Sequence, residues 1–369
     1  MRRTAPVVLL SLALAGCGGQ AASTASSADA VRISAGDTAC EVSRTSLPAG
    51  ATVFRIENTG SQVTEVYLYG EGDKIVAEKE NIGPGISYDL TAQLPAGSYD
   101  VSCKPGMTGN GIRTALNVTG ATSQADPAQA TAVAAYRTYI QAQADAMVPL
   151  VQGFAAAVKA GDVAKAKALY APSREPWERI EPVAEAFGDI DPEVDLREAD
   201  LAPGQSWTGW HRIEKSLWKD GSARGLTPVA DKLVADIIDF QGRVATAELS
   251  VASIGNGAKE LLDEVATGKV TGEEEAFSHT DLVDVEANVA GAEKALEVLR
   301  PLVRDTALLA QLDAAFATLD STLKTYATPA GSGSYVSYDT VDEAGRRELA
   351  RVVDALGEPL SRLSAAAVA

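Results

Sequence analysis

His211 and Glu214 stand three residues apart in Trp207-Thr208-Gly209-Trp210-His211-Arg212-Ile213-Glu214. On a helix that spacing puts an imidazole and a carboxylate on one face, a pair able to hold one metal ion. Glu178 and Glu181 repeat the spacing in Trp177-Glu178-Arg179-Ile180-Glu181-Pro182. More acids follow in Asp189-Ile190-Asp191-Pro192-Glu193-Val194-Asp195 and in Glu273-Glu274-Glu275, with His279 just beyond. All four tryptophans fall between positions 177 and 218, among these acids. Tryptophan is mostly buried, so carboxylates beside it need partners. Two kinds of partner are open: a bound cation, or a salt-bridge network in which Arg174, Arg179, Arg197 and Arg212 pair the acids.

One nitrogen and several hard oxygens suit iron, manganese or zinc, and the ligand types alone do not rank them. Peptidase chemistry of the zincin kind needs two histidines in H-E-x-x-H, whereas this chain has Trp-His-Arg-Ile-Glu and two histidines in all. No Gly-x-Ser-x-Gly is present either. The chain therefore reads as a non-enzyme, with a hydrolase that activates water on the bundle metal as a rival. A net charge of −18 argues against nucleic acid and anionic lipid as partners and for cations.

Two textures of sequence must position these groups. From 30 to 120 short alternating runs such as Thr52–Asn58 and Val63–Tyr69 are separated by Pro48-Ala49-Gly50, Gly83-Pro84-Gly85 and Pro95-Ala96-Gly97. This predicts an all-β sandwich. Residues 121–128 read as a linker, and 129–369 show helical periodicity, too long for one four-helix bundle and suited to two stacked bundles. Within it, Asp162 predicts a cap for a helix that stops at Pro172, and Pro149 predicts a kink.

The N-terminus carries its own chemistry. Met1-Arg2-Arg3, an apolar run to Ala15 and Leu14-Ala15-Gly16-Cys17 resemble a bacterial lipoprotein signal, with Cys17 the lipidated residue. The expectation is a signal peptide over 1–16, a flexible tether over 17–29 and an exported protein held on the outer face of the cell membrane. Loss of Arg2 and Arg3 would take the charge to about −20. No later stretch approaches the ~20 apolar residues of a membrane span, so the lipid is the expected membrane contact.

Three separated blocks carry a family resemblance: Gly-Trp-His-Arg-Ile-Glu-Lys-Ser-Leu-Trp, Ile-Glu-Pro-Val-Ala-Glu-Ala-Phe-Gly-Asp-Ile-Asp and Gly-Glu-Glu-Glu-Ala-Phe-Ser-His-Thr-Asp-Leu. They resemble the EfeO family, extracytoplasmic components of Efe-type iron uptake systems. Asp-Thr-Ala-Cys-Glu, Glu-Asn-Ile-Gly-Pro-Gly and Pro-Ala-Gly-Ser-Tyr-Asp-Val-Ser-Cys extend the resemblance into the first domain. It implies a cupredoxin-like Greek-key sandwich followed by an imelysin-like helical domain. It also implies iron as cargo, a membrane iron permease as partner and a haem peroxidase of the dye-decolorising type. Carried onto this chain, the family's metal site implicates His211, Glu214, Glu178, Glu181, Asp195 and Glu274, with Asp189 and Asp191 as rivals to Asp195 and His279 in a structural role. The imelysin-like family is also filed among peptidases, and some imelysin-like proteins are linked to polysaccharide binding, so a lipoprotein binding an anionic polymer is a second rival. In the first domain no histidine exists between 30 and 120, and a blue-copper site is incomplete even with Cys103 and Met107. The resemblance instead groups Cys40 and Cys103 with Glu65, or Glu41, around a second metal such as copper. A disulfide between the two cysteines is the alternative.

Overall fold

A computed structural model describes residues 30–121, 126–329 and 334–369. The expected signal peptide, Cys17, the tether and residues 122–125 of the linker lie outside the described residues.

The first domain is a sandwich of two sheets. Its strands in chain order are β1 (Val31–Ala35), β2 (Cys40–Val42), β3 (Ser46–Pro48), β4 (Gly50–Asn58), β5 (Thr64–Tyr69), β6 (Ile75–Ile82), β7 (Ser87–Leu94), β8 (Gly97–Pro105) and β9 (Ile112–Thr119). One sheet has the order β2-β1-β4-β7, the other β3-β9-β8-β5-β6. The chain crosses repeatedly between them, so β1 pairs in parallel with β4 and β3 with β9. Alternation sets the inside: on β4, Phe54 and Ile56 are buried while Arg55 and Glu57 face out. They join Val31, Ile33, Leu68, Val101 and Leu116 in one core.

Cys40 on β2 and Cys103 on β8 are joined by a disulfide across 63 positions of sequence. Closing a loop of that length removes chain entropy worth about 4 kcal/mol from the unfolded state. Reduction, or Cys40→Ala with Cys103→Ala, is therefore expected to destabilise the sandwich by about that much. Urea unfolding followed by circular dichroism reads it, and a change below ~1 kcal/mol would count against the staple.

The second domain contains α1 (Pro127–Lys159), α2 (Val163–Glu178), α3 (Glu181–Glu185), α4 (Asp191–Val194), α5 (Gly209–Trp218), α6 (Thr227–Val244), α7 (Val251–Glu264), α8 (Asp281–Leu299), α9 (Thr306–Lys324), α10 (Glu343–Leu360) and α11 (Leu363–Val368). Side-chain caps open several of them: Asp126 for α1, Asp162 for α2, Ser250 for α7, Asp305 for α9 and Asp342 for α10. α1, α2, α5 and α6 pack as one group and α7 to α11 as another, with α2 against α8 joining them over a shared core. α1 runs over 33 residues with Pro149 inside it. One sequence expectation fails here. Pro172 does not stop α2, which runs on through Pro176 to Glu178. The missing amides are outweighed by packing, since the added turns seat Trp177 against Trp210 and Phe240 and bring Arg174 and Glu178 into the interior.

The domains touch along α7, where Asn256 Nδ2 donates to the Thr91 carbonyl at 2.9 Å and Lys79 Nζ meets Asp263 at 2.5 Å. Among the described residues no helix is long and apolar enough to cross a membrane.

Candidate metal centre

Gly209 opens α5 at φ +79, and a Cβ there would lie 2.0 Å from the Val194 carbonyl oxygen. Only glycine permits that approach. The consequence is positional: the first turn of α5 abuts the end of α4, and His211 comes to face Asp195. His211 Nε2 lies 3.2 Å from Asp195 Oδ1 and 3.5 Å from Glu274 Oε1, with the imidazole 2% exposed. On the other ring edge, Nδ1 is 3.2 Å from Glu214 Oε2 and 3.4 Å from the Tyr170 hydroxyl. Glu214 is fixed from behind, its Oε1 accepting the backbone N–H groups of Phe277 at 2.9 Å and Ser278 at 2.6 Å.

Two buried cations sit among the acids. Arg174 hydrogen-bonds Glu178 and Asp195, meets Glu275 at 2.9 Å, and has Glu274 and Asp284 each at 3.7 Å. Lys269 contacts Glu178 at 2.9 Å, Glu264 at 3.0 Å and Glu181 at 3.4 Å. It is carried there by a π-helical segment, Val265–Lys269, which follows α7.

Seven carboxylates are buried in this domain, Glu178, Glu181, Asp195, Glu214, Glu275, Asp281 and Asp284, against Arg174 and Lys269 as permanent cations. Negative charge is in excess, and the individual groups register it. Burial, with Glu214 nearby, pushes Glu275 up to about 8, and burial pushes Asp281 up to about 6. Asp284 is raised well above its usual range by burial and by Glu178. Burial works the same way on Asp195, but Arg174 and His211 overcome it and hold that carboxylate well below the ordinary range. Burial and Arg174 press His211 downward, yet its contacts with Asp195, Glu214 and Glu274 prevail and raise it well above normal. Even so, buried His211 Nε2, Asp195 Oδ2 and both Asp284 oxygens have no hydrogen-bond partner among the described residues. Orphaned donors around surplus acid are what a bound metal ion would satisfy.

The six expected ligands fall into different places. His211, Asp195 and Glu274 offer ligand atoms within 4.8 Å of one another; so do His211, Glu214 and Glu275, and so do Glu181, Asp191 and Asp195. Glu178 lies behind them, between Arg174 and Lys269. Of the acids weighed against Asp195, Asp189 is out at the surface on Arg243, while Asp191 belongs to the cluster. The salt-bridge alternative is realised in part: Arg174 is central and Arg197 reaches Glu274 at 3.5 Å, but Arg179 pairs with Glu175, and Arg212 donates to Ser216. His279, at φ +56, donates its backbone N–H to the Glu275 carbonyl at 2.9 Å and accepts from Tyr338 N.

Sequence reasoning missed Lys269, Tyr170, Asp281, Asp284 and Asn288. The last three lie at spacings of three and four on α8, a polar stripe on a helix otherwise buried as apolar surface, and that stripe was the available signal.

In the first domain the structure takes the disulfide alternative for Cys40 and Cys103. The two cysteine sulfurs are bonded to each other, in the sandwich core. Val66 is the direct partner of Cys103, so Glu65, one residue earlier, shares the opposite face with Lys104. There it is pushed up to about 7 by burial and by Glu80. Glu41 is exposed on the short strand β2, and Met107 is 43% exposed. Cys40, Cys103 and Glu65 therefore do not surround one ion in this structure.

Residues 132–363 match the imelysin family, and residues 6–116 match the cupredoxin-like domain family. A protein named "Iron uptake system component EfeO" from Escherichia coli O1:K1 is 39% identical over 345 residues, covering 90% of both chains. Its namesake from Shigella flexneri is 38% identical over 345 residues, again covering 90% of each.

Proposed function

The chain belongs to the EfeO family of iron uptake components, built from a cupredoxin-like and an imelysin domain, and from that premise we propose that it is an extracytoplasmic iron carrier. In this reading Cys17 anchors it by lipid to the outer face of the cell membrane. Iron, as Fe2+ or Fe3+, is captured in the helical domain and passed to a membrane permease, with a dye-decolorising haem peroxidase as the third member of the system. Zinc and other divalent ions compete for the same donors. Copper in the cupredoxin-like domain lacks thiolate ligands while Cys40 and Cys103 remain bonded.

The observation that carries the proposal is the buried, acid-rich surround of His211, whose Nε2 faces Asp195 and Glu274 with no hydrogen bond made. It also weighs against the hydrolase. His211 and Glu214 are 2% and 0% exposed, so a peptide substrate does not reach them in this structure. A net charge of −18 weighs against an anionic polymer as ligand. Anaerobic titration of the chelator-stripped protein with Fe2+, Zn2+ and Cu2+, followed by assay on generic peptides, tests the reading. Tight, saturable Fe2+ binding without turnover is expected; metal-dependent peptide cleavage, or no binding, would overturn it.

A further inference from the structure

We propose that the helical centre takes two cations, with Asp195 as the carboxylate that bridges them. One position lies at His211 Nε2, Asp195 and Glu274, and the second at Glu181, Asp191 and Asp195. The inference rests on the carrier reading and extends it to stoichiometry and to a ligand, Asp191.

Asp195 is common to both groups and is 6% exposed. Its Oδ1 accepts from Arg174 and faces His211 Nε2, whereas Oδ2 has no hydrogen-bond partner among the described residues. A buried carboxylate with one oxygen engaged and one idle is half used. Asp191 and Asp195 are the first residue and the C-cap of α4, four apart and so on one face, and Glu181 opens α3 nearby. Oxygens about 2.1 Å from a common ion lie roughly 3 to 4 Å apart, and the three offered here fall within 4.8 Å of one another.

Lys269 is the one cation touching Glu181 in the described residues, and at 3.4 Å this is the longest of its three contacts. Released by Glu181, it keeps Glu178 at 2.9 Å and Glu264 at 3.0 Å. The fold can thus lend Glu181 to an ion without stranding the lysine. The two positions differ in chemistry. The first includes a nitrogen; the second is all oxygen and suits a hard cation such as Mn2+ or Fe3+. A bridging carboxylate holds ions close enough to interact magnetically, as in other two-metal sites with spacings of about 4 Å.

Native mass spectrometry of the full chain loaded with Mn2+ counts the ions, and electron paramagnetic resonance reports their coupling. The wild type is expected to bind two and to show exchange-broadened signals at the second equivalent. Asp191→Asn should bind one, uncoupled, and retain the His211-dependent ion; circular dichroism checks that it folds. One ion in the wild type, with affinity unchanged in Asp191→Asn, would overturn the second position and leave the carrier reading intact. Mn2+ counts that ignore both Asp191→Asn and His211→Ala would instead sink the centre as a whole.

Discussion

His211→Ala in the full chain is expected to weaken Fe2+ and Zn2+ binding by roughly 100-fold or more. Loss of an outer partner of a metal ligand alone costs about 10–100-fold, and His211 is the one nitrogen donor in any of the clustered groups. His279→Asn, which tolerates the left-handed backbone at φ +56, should leave affinity within a few fold. The same pair of proteins separates in pH dependence. The His211 imidazole is raised well above its usual range and must lose its proton to bind a metal. Affinity should therefore fall with falling pH from that raised value downward, across the neutral range, and not only below ~6.5. Calorimetry in two buffers of different ionisation enthalpy should show a proton released per ion, absent in His211→Ala. Equal affinity of His211→Ala and wild type would reduce the centre to a salt-bridge network.

Arg174→Met should destabilise the metal-free protein by about 3–5 kcal/mol, the usual result of removing one partner from a buried charge cluster. Glu178, Asp195, Glu275 and Asp284 all lose the guanidinium at once. Metal should restore much of that loss, because an ion bound by the folded state alone both stabilises it and supplies the missing positive charge. Urea unfolding with and without Zn2+, followed by tryptophan fluorescence, measures both effects; the four tryptophans all lie in this domain. A loss under ~1 kcal/mol, or one that Zn2+ leaves untouched, would mean that Arg174 and a bound ion do not balance the same carboxylates.

Much of this architecture was legible residue by residue. Alternation in Phe54, Ile56, Leu116 and Val118 gave strands with the right faces buried, and the cap at Asp162 is where the spacing put it. His211 stood out because the chain has only two histidines and Trp210 precedes it, whereas Asp195 and Glu274 were singled out from neighbouring acids only by the family resemblance. What escaped depends on contacts that local rules do not contain. Pro172 signals a helix end by its missing amide, and only the aromatic packing of Trp177 carries α2 past it. Glu65 looked like a partner for Cys103 until strand register placed the two on opposite faces of β5 and β8. Lys269 has no signature at all, since its burial follows from a π-helical step visible only in the backbone.

On the carrier reading, the chain order of the clustered donors sets when an ion can be held. The donors arrive from α2 to α5 and then from beyond residue 273, where Glu274 and Glu275 lie just ahead of α8. Any chain cut short before residue 274, or still being threaded N-terminus first through a narrow pore, carries the histidine without its closing acids. The cage is completed late and by long-range docking, which is slow relative to helix formation. On that reading loading is a property of the finished domain, and an incomplete chain would hold no ion.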